Sequence, residues 1–406
     1  MRFSLHFRKN IFEQIDKLTD KMKDWEAIPR INADEEKVIK DKVECFDHTI
    51  KFQNLIIGGI DGSGDFPSLS YSDSFVYIAV AQGTIYEANQ QSGLKEIGIE
   101  PDPVVEFVWI PEESKRRIQA FDEGFEALAG MSLEKVIESS DYRSIKANIT
   151  GRDESIGEIR KGLIRPHAFD SGNIAIQLRS AAEIGAAIRL LHSTKNLDYL
   201  LLDGTMSLPF ISRPGISLFF EHMKRFCCVE ALKNNTGLFT LSKSHGLPSM
   251  ELMEEIVREK LGLEKGKIAE HWFLRLPTPN IDNWECPLTS GRNIPPPSSV
   301  SYLVRFHKST PVLRLDMDLN YWKKNVRGKT EHETVINESK IFKDLDYASH
   351  DQRCYGYPYP IKAGHDRASL TNVEREVFRK QIIDAAMKVG MRRTLFKSAA
   401  ASTGHE

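Results

Sequence analysis

Two stretches constrain this chain more than any others: "NLIIGGIDGSGD", residues 54–65, and "LDYLLLDGTMS", residues 197–207. Each is an apolar run without polar alternation, the pattern of a strand buried on both faces, as at the parallel centre of a mixed sheet. Each ends in Asp-Gly followed by a hydroxyl residue. The glycine lets the backbone turn sharply or lets a substrate come close. A strand-end Asp-Gly is also an ordinary turn with no chemistry attached. Two such ends on neighbouring central strands change that balance, because Asp61 and Asp203 then converge where ligands gather in open sheets. Carboxylates that close repel unless a cation such as Mg²⁺ or Mn²⁺ holds them.

The surrounding pattern supplies the rest of an α/β domain. "SFVYIAVAQGTIYE", with a turn expected at Gly83, and "PVVEFVWIP", closed by Pro111, read as strands. With the first run they make an antiparallel meander. Residues 112–170 are charged and helical in pattern, an expected insertion. "NIAIQLRSAAEIGAAIRLLHS" is a helix that feeds the Asp203 strand. Helix, strand, helix and strand follow from residue 216 to "HWFLRLP", then the proline-rich connection "NIPPPSSV". A β-hairpin turns around His307–Pro311, and "LTNVEREVFRKQIIDAAMKVG" is a late capped helix. Near the N-terminus Ile11, Ile15, Leu18 and Met22 form one apolar stripe. It suits docking on the main domain or on a second subunit. The expected division is a helical segment over 1–50, a main domain over 51–385 and a frayed tail over 386–406.

Composition narrows the class. The 406 residues are 41% hydrophobic and 28% charged, enough for a large soluble core. A formal net charge of −2 counts against a lone nucleic-acid binder but leaves room for a local basic channel. Five cysteines show no CxxC spacing, which fits reduced thiols in a cytoplasmic protein, and a zinc site is not expected. Cys227 and Cys228 read as small buried hydrophobes. No run approaches the roughly 18 apolar residues of a membrane span, so no membrane partner is expected.

A third carboxylate would complete a metal cage, and Glu183 is the best candidate. It lies on the helix before the Asp203 strand, among Ala181, Ala182, Gly185 and Ala186, as if something must come close. Alone, a helical glutamate is more simply a solvated surface residue. Asp on the first strand, Glu on the helix after the third and Asp ending the fourth is the layout of ribonuclease H-like nucleases. In such sites two divalent ions clamp a scissile phosphate, and hard oxygen ligands select Mg²⁺ or Mn²⁺.

"YGYPYPIKAGHDRASLT", residues 355–371, carries a resemblance. It resembles the closing motif of the NurA nucleases: Gly-Tyr-Pro, a short apolar run, then a histidine. "GGIDGSGD", "LRSAAEIGAAIRLL", "LLLDGTM" and "LSKS" resemble that family's other motifs in the same order, over residues 50–385. The resemblance implies a ribonuclease H-like mixed sheet with flanking helices. It also implies a metal-dependent DNA nuclease of 5′–3′ exonuclease and single-strand endonuclease type, often preferring Mn²⁺. It further implies a homodimer docked on a HerA-type hexameric ATPase. Carried over by residue, the metal-binding acids are Asp61, Glu183 and Asp203, and the accessories are Tyr357 and His365. In the family's late hairpin an Arg-x-Glu-type pattern is usual. Here "LRLDMD" puts Asp316 there, as a further ligand or a salt-bridge partner.

The residues themselves leave the accessory roles open. His365 suits a metal ligand, a proton shuttle or a helix-start histidine bonded to backbone. Tyr357 suits a phosphate contact, base stacking or core packing. Lys243 suits charge neutralisation at the phosphate or a plain surface position. Arg305, His307, Lys308, Lys323, Lys324, Arg327 and Lys329 suit a DNA channel or a solvated face. Two other functions compete. Asp-Gly-Ser/Thr loops also cradle ATP in actin-like phosphotransferases, although no glycine-rich adenosine loop follows late in this chain. A non-catalytic scaffold that binds DNA or an ATPase is the other.

Overall fold

Leu200, Leu201 and Leu202 have no polar side to turn to water, so they must lie between two layers, and the computed structural model of the protein buries all three to within 1% exposure. Each contributes about 2 kcal/mol by burial. The structure describes residues 5–25, 32–48, 54–64, 68–72, 74–89, 93–97, 102–111, 113–151, 153, 155–158, 171–206, 214–243, 250–278, 281–286 and 298–397.

Helices α1 (Leu5–Trp25) and α2 (Ala33–Lys42) lead to strand β1 (Val43–Cys45). Then come β2 (Leu55–Ser63), β3 (Leu69–Tyr71), β4 (Ser74–Asn89), β5 (Gly93–Glu96) and β6 (Val104–Ile110). Helices α3 (Ser114–Ala129), α4 (Leu133–Ser139), α5 (Tyr142–Thr150) and α6 (Ser171–Ser193) follow. The chain continues through β7 (Tyr199–Asp203), α7 (Pro214–Lys233), β8 (Gly237–Ser242), α8 (Met250–Lys260) and β9 (Trp272–Arg275). It then forms the hairpin β10 (Ser299–Arg305) and β11 (Leu313–Asp318), followed by α9 (Leu319–Asn325) and α10 (Glu331–Ser349). Last are the small hairpin β12 (His350–Asp351) and β13 (Cys354–Tyr355), α11 (Tyr359–Ala368), α12 (Asn372–Lys388) and β14 (Phe396–Lys397).

The strands form one mixed sheet in the order β1-β9-β10-β11-β8-β7-β2-β4-β3-β14, with β5 and β6 also pairing β4. Strands β2, β7 and β8 are parallel, while β4 runs antiparallel to both β2 and β6. The expected meander and parallel centre are therefore both present. Helices α3, α6 and α7 cover one face through Phe121, Phe125, Leu178 and Cys227. Helices α10 and α11 cover the other through Phe342, Leu345 and Ile361.

Three expectations are corrected. Gly83 makes no turn: β4 runs straight through it, opposite Ile60, and a side chain there would meet Leu190 Cδ1 of α6 at 2.9 Å. The glycine is a seat for a helix, not a corner. The small residues around Glu183 serve packing between helices. A side chain at Gly185 would stand 2.0 Å from the Leu128 carbonyl oxygen of α3, and Ala181, Ala182 and Ala186 are buried. Arg305 does not face a channel: it is buried, donates to the Thr310 carbonyl and pairs with Glu254 at 3.0 Å.

Described segments before β2 and after α11 also join the sheet. After α2, β1 pairs with β9, and α12 runs to Lys388 before β14 pairs with β3. Residues 398–406 of the expected tail and 293–297 of the proline-rich connection lie outside the described residues, as do 159–170 of the expected insertion. The α1 stripe of Ile11, Ile15, Leu18 and Met22 is exposed in the single chain. All five cysteines are free, and Cys227 and Cys228 are buried. Among the described residues no helix is long and apolar enough to cross a membrane.

Candidate metal centre at the ends of β2 and β7

Register decides the geometry. Ile60 of β2 lies beside Leu202 of β7 in a parallel pair, so the next residues, Asp61 and Asp203, stand side by side where that pairing stops: Asp203 ends β7, while β2 runs on two residues to Ser63 against β4, without the turn expected after Asp61. Both line one cleft of about 360 Å³, together with Ser242, Lys243, Tyr357, Ile361, Lys362, His365 and Asp366. The cleft is roofed by α11, and two glycines let that helix come so close. A side chain at Gly59 would stand 2.1 Å from the Pro360 carbonyl carbon, and one at Gly364 would stand 3.2 Å from the Asp61 amide nitrogen. Thr84 Oγ1 donates to the Pro360 carbonyl at 2.8 Å, which ties α11 to β4.

That close fit places His365 on Asp61. Its Nδ1 lies 2.8 Å from Asp61 Oδ2, and its Nε2 lies 3.2 Å from Ser369 Oγ. Both ring nitrogens are engaged, so in this arrangement His365 orients the carboxylate. The Gly62 amide donates to Asp61 Oδ1 at 2.7 Å. Tyr357, fully buried, donates to Asp203 Oδ1 at 2.6 Å. Burial first, and then Asp203, hold its hydroxyl well above the usual range, so it stays a donor. Lys243 Nζ sits 3.8 Å over the Tyr357 ring, its charge at the mouth of the cleft.

Glu183 approaches from the opposite face. Strand alternation points Gly59 and Asp61 toward α11, and Gly62 toward α6. A side chain at Gly62 would meet Glu183 Cγ at 2.9 Å and Oε1 at 3.1 Å, so the bare glycine leaves room for this carboxylate beside β2. Glu183 is 6% exposed and pairs with Arg179 at 3.3 Å and Lys224 at 3.7 Å. It does not line the Asp61–Asp203 cleft. Lys224 is the residue that sequence reasoning missed. Its signal was a pair of cations, Lys224 and Arg225, inside the buried run Met223–Cys228.

Asp316 is a salt-bridge partner. It is fully buried and accepts from Ser301 Oγ at 2.6 Å, Arg314 Nε at 2.8 Å and the Met206 amide at 2.9 Å. Through Met206 it braces the turn that follows Asp203.

The electrostatics fit a cation. Burial first, then Asp203 and Glu183, push the Asp61 carboxyl up to about 6, against the pull of His365 and Gly62. Two carboxylates therefore share a buried cleft in which one resists ionising, and a cation between them would relieve that cost. Carboxylate oxygens side by side on adjacent strands suit Mg²⁺ or Mn²⁺. Asp61 and Asp203 would hold such an ion, with Glu183 adding its charge from the α6 side of β2.

No family model and no curated protein matches this chain. Among solved structures it is similar to the NurA nuclease from Sulfolobus solfataricus at 13% identity, over 93% of this chain and 97% of that one, with a TM-score of 0.49. It is also similar to NurA with manganese, at 12% identity over 95% and 99% of the two chains and a TM-score of 0.35. A third similar structure is NurA bound to dAMP and manganese, at 14% identity over 95% and 98%, with a TM-score of 0.36.

Proposed function

We propose that this protein is a metal-dependent DNA nuclease that hydrolyses phosphodiester bonds with two divalent ions. The observation that carries the reading is the pairing of Asp61 and Asp203 in one cleft, with the Asp61 carboxyl pushed up to about 6 by burial and then by the neighbouring carboxylates. Mn²⁺ or Mg²⁺ held by Asp61 and Asp203 would activate the attacking water and polarise the phosphate. The chain's own residues do the rest. Asp61 and Asp203 bind the ions, and Glu183 adds charge from the α6 side. His365 and Tyr357 fix the angles of the two aspartates, as partners of ligating carboxylates do. Lys243 and Lys362 at the cleft wall stabilise the negative charge that grows on the phosphate.

Substrate and assembly follow from the motif resemblance: single strands and DNA ends, cut by 5′–3′ exonuclease and single-strand endonuclease action in end processing or phage defence. A homodimer fed by a HerA-type hexameric ATPase belongs to the same reading. The exposed apolar row of α1 supports a second copy of the chain as a partner.

The test is purified protein with 5′- and 3′-labelled DNA in Mn²⁺, Mg²⁺ or EDTA. Cleavage should need the ion and vanish in Asp61→Asn and Asp203→Asn. Parental cleavage by either variant refutes the assignment. Turnover of ATP with Mg²⁺ and no partner, without DNA cleavage, would transfer the site to an actin-like phosphotransferase.

A further inference from the structure

A second polar cluster lies away from the aspartate cleft. His48, His271, Asp346 and His350 each offer one ligand atom, and these atoms all lie within 4.8 Å of one another. His271 directly precedes β9, which is four strand positions from β7 in the sheet. At about 4.8 Å per strand the two sites are separated by roughly 19 Å. We propose that these four side chains form a closed, structural site for a divalent ion of the zinc class. This does not depend on the nuclease reading.

The distances suit it. Asp346 Oδ2 lies 2.7 Å from His48 Nδ1, and Asp346 Oδ1 lies 3.1 Å from His350 Nδ1 and 3.6 Å from His271 Nε2. Around an ion bonded at about 2.0–2.1 Å, tetrahedral ligand atoms stand about 3.4 Å apart. The three rings crowd together, with centroids 4.2 to 5.4 Å apart. Hydrogen bonding leaves the cluster unsatisfied at its centre. Asp346 is fully buried, yet its Oδ1 and the buried His271 Nε2 find no hydrogen-bond partner. An ion between them would satisfy both. His350 Nδ1 also lies 3.0 Å from the Asp346 carbonyl, a contact that ligation would replace.

The backbone is bent to aim one ring. His271 has φ +59°, a left-handed conformation uncommon outside glycine, and its backbone bonds Arg305 and Phe46 on either side. Such strain is kept where the surroundings hold it in place. Three imidazoles and one carboxylate suit zinc over Mg²⁺ or Mn²⁺, and four protein ligands leave no open position for chemistry. The ion would join the segment after β1, the turn before β9, the end of α10 and the β12–β13 hairpin. That hairpin leads directly to Tyr357, so the site would brace a partner of Asp203 from a distance.

The experiment uses full-length protein stripped with EDTA and titrated with Co²⁺ as a visible probe. One equivalent should give the intense absorption of tetrahedral Co²⁺, and Zn²⁺ should displace it. His271→Ala should lose the absorption, and Asp61→Asn should keep it. His48→Gln, a change at an exposed side chain that leaves the fold intact by circular dichroism, should weaken Co²⁺ binding by more than about tenfold. Parental protein without the tetrahedral absorption overturns the proposal, as does its retention at parental affinity in His48→Gln.

Discussion

Asp61→Asn should make the metal-free protein more stable while ending cleavage. The reasoning is electrostatic. The folded-state carboxyl rises from 3.8 to about 6 because Asp61 is buried beside two other carboxylates. A rise of about two units is about 3 kcal/mol held against the ionised form. Asparagine removes that cost, but it weakens the bond to His365, worth about 1–2 kcal/mol. A net gain of about 1–2 kcal/mol remains. For a chain of this length that is roughly 1–4 °C in Tm, scaling from smaller domains. The pH dependence fixes the sign. The folded protein binds the Asp61 proton more tightly than the unfolded chain. The group's cost is therefore fully present above about pH 6 and is relieved as pH falls toward 4. Thermal melts in EDTA should show the variant's advantage at pH 8 and its loss near pH 4.5. Adding Mn²⁺ at pH 8 should raise the parent's Tm and leave the variant unmoved. A variant less stable than the parent at pH 8, or an advantage that ignores pH, refutes the reasoning.

Three further outcomes are expected. Tyr357→Phe removes the hydroxyl from Asp203 while leaving the ring under Lys243, so cleavage should fall about 10–100-fold with an unchanged circular dichroism spectrum. Gly59→Ala pushes a methyl into the Pro360 backbone. It should cost about 1–3 kcal/mol by urea denaturation and also reduce cleavage, because the displaced helix carries His365. Glu338→Ala takes the buried carboxylate from Arg275 Nη1, leaving that guanidinium only Asp282 and Glu331, and leaves Tyr302 and Trp322 without their shared acceptor. The loss should be about 3–5 kcal/mol, read from the urea midpoint.

Local pattern determined much of this protein. Apolar runs are buried on both faces whatever the topology, so β2 and β7 were legible, as was the turn that puts Asp203 at the end of β7; the turn expected after Asp61 is absent, because β2 runs on to Ser63 in register with β4. The capping box of Thr371 and Glu374 marks the start of α12 in the same local way. Tertiary structure decided the rest, because it depends on which surfaces meet. Gly83 and Gly185 read as a corner and an opening, but a helix seated on each. Glu183 reads as a third member of a cage, and the packing of α6 on β2 sets it against Gly62, outside the cleft lined by Asp61 and Asp203. His48, His271 and Asp346 have no spacing that a sequence pattern can express, since Asp346 and His48 are 298 positions apart. Side chains so distant acquire a common chemistry only when the sheet closes between them, and no property of the chain taken a window at a time contains that event.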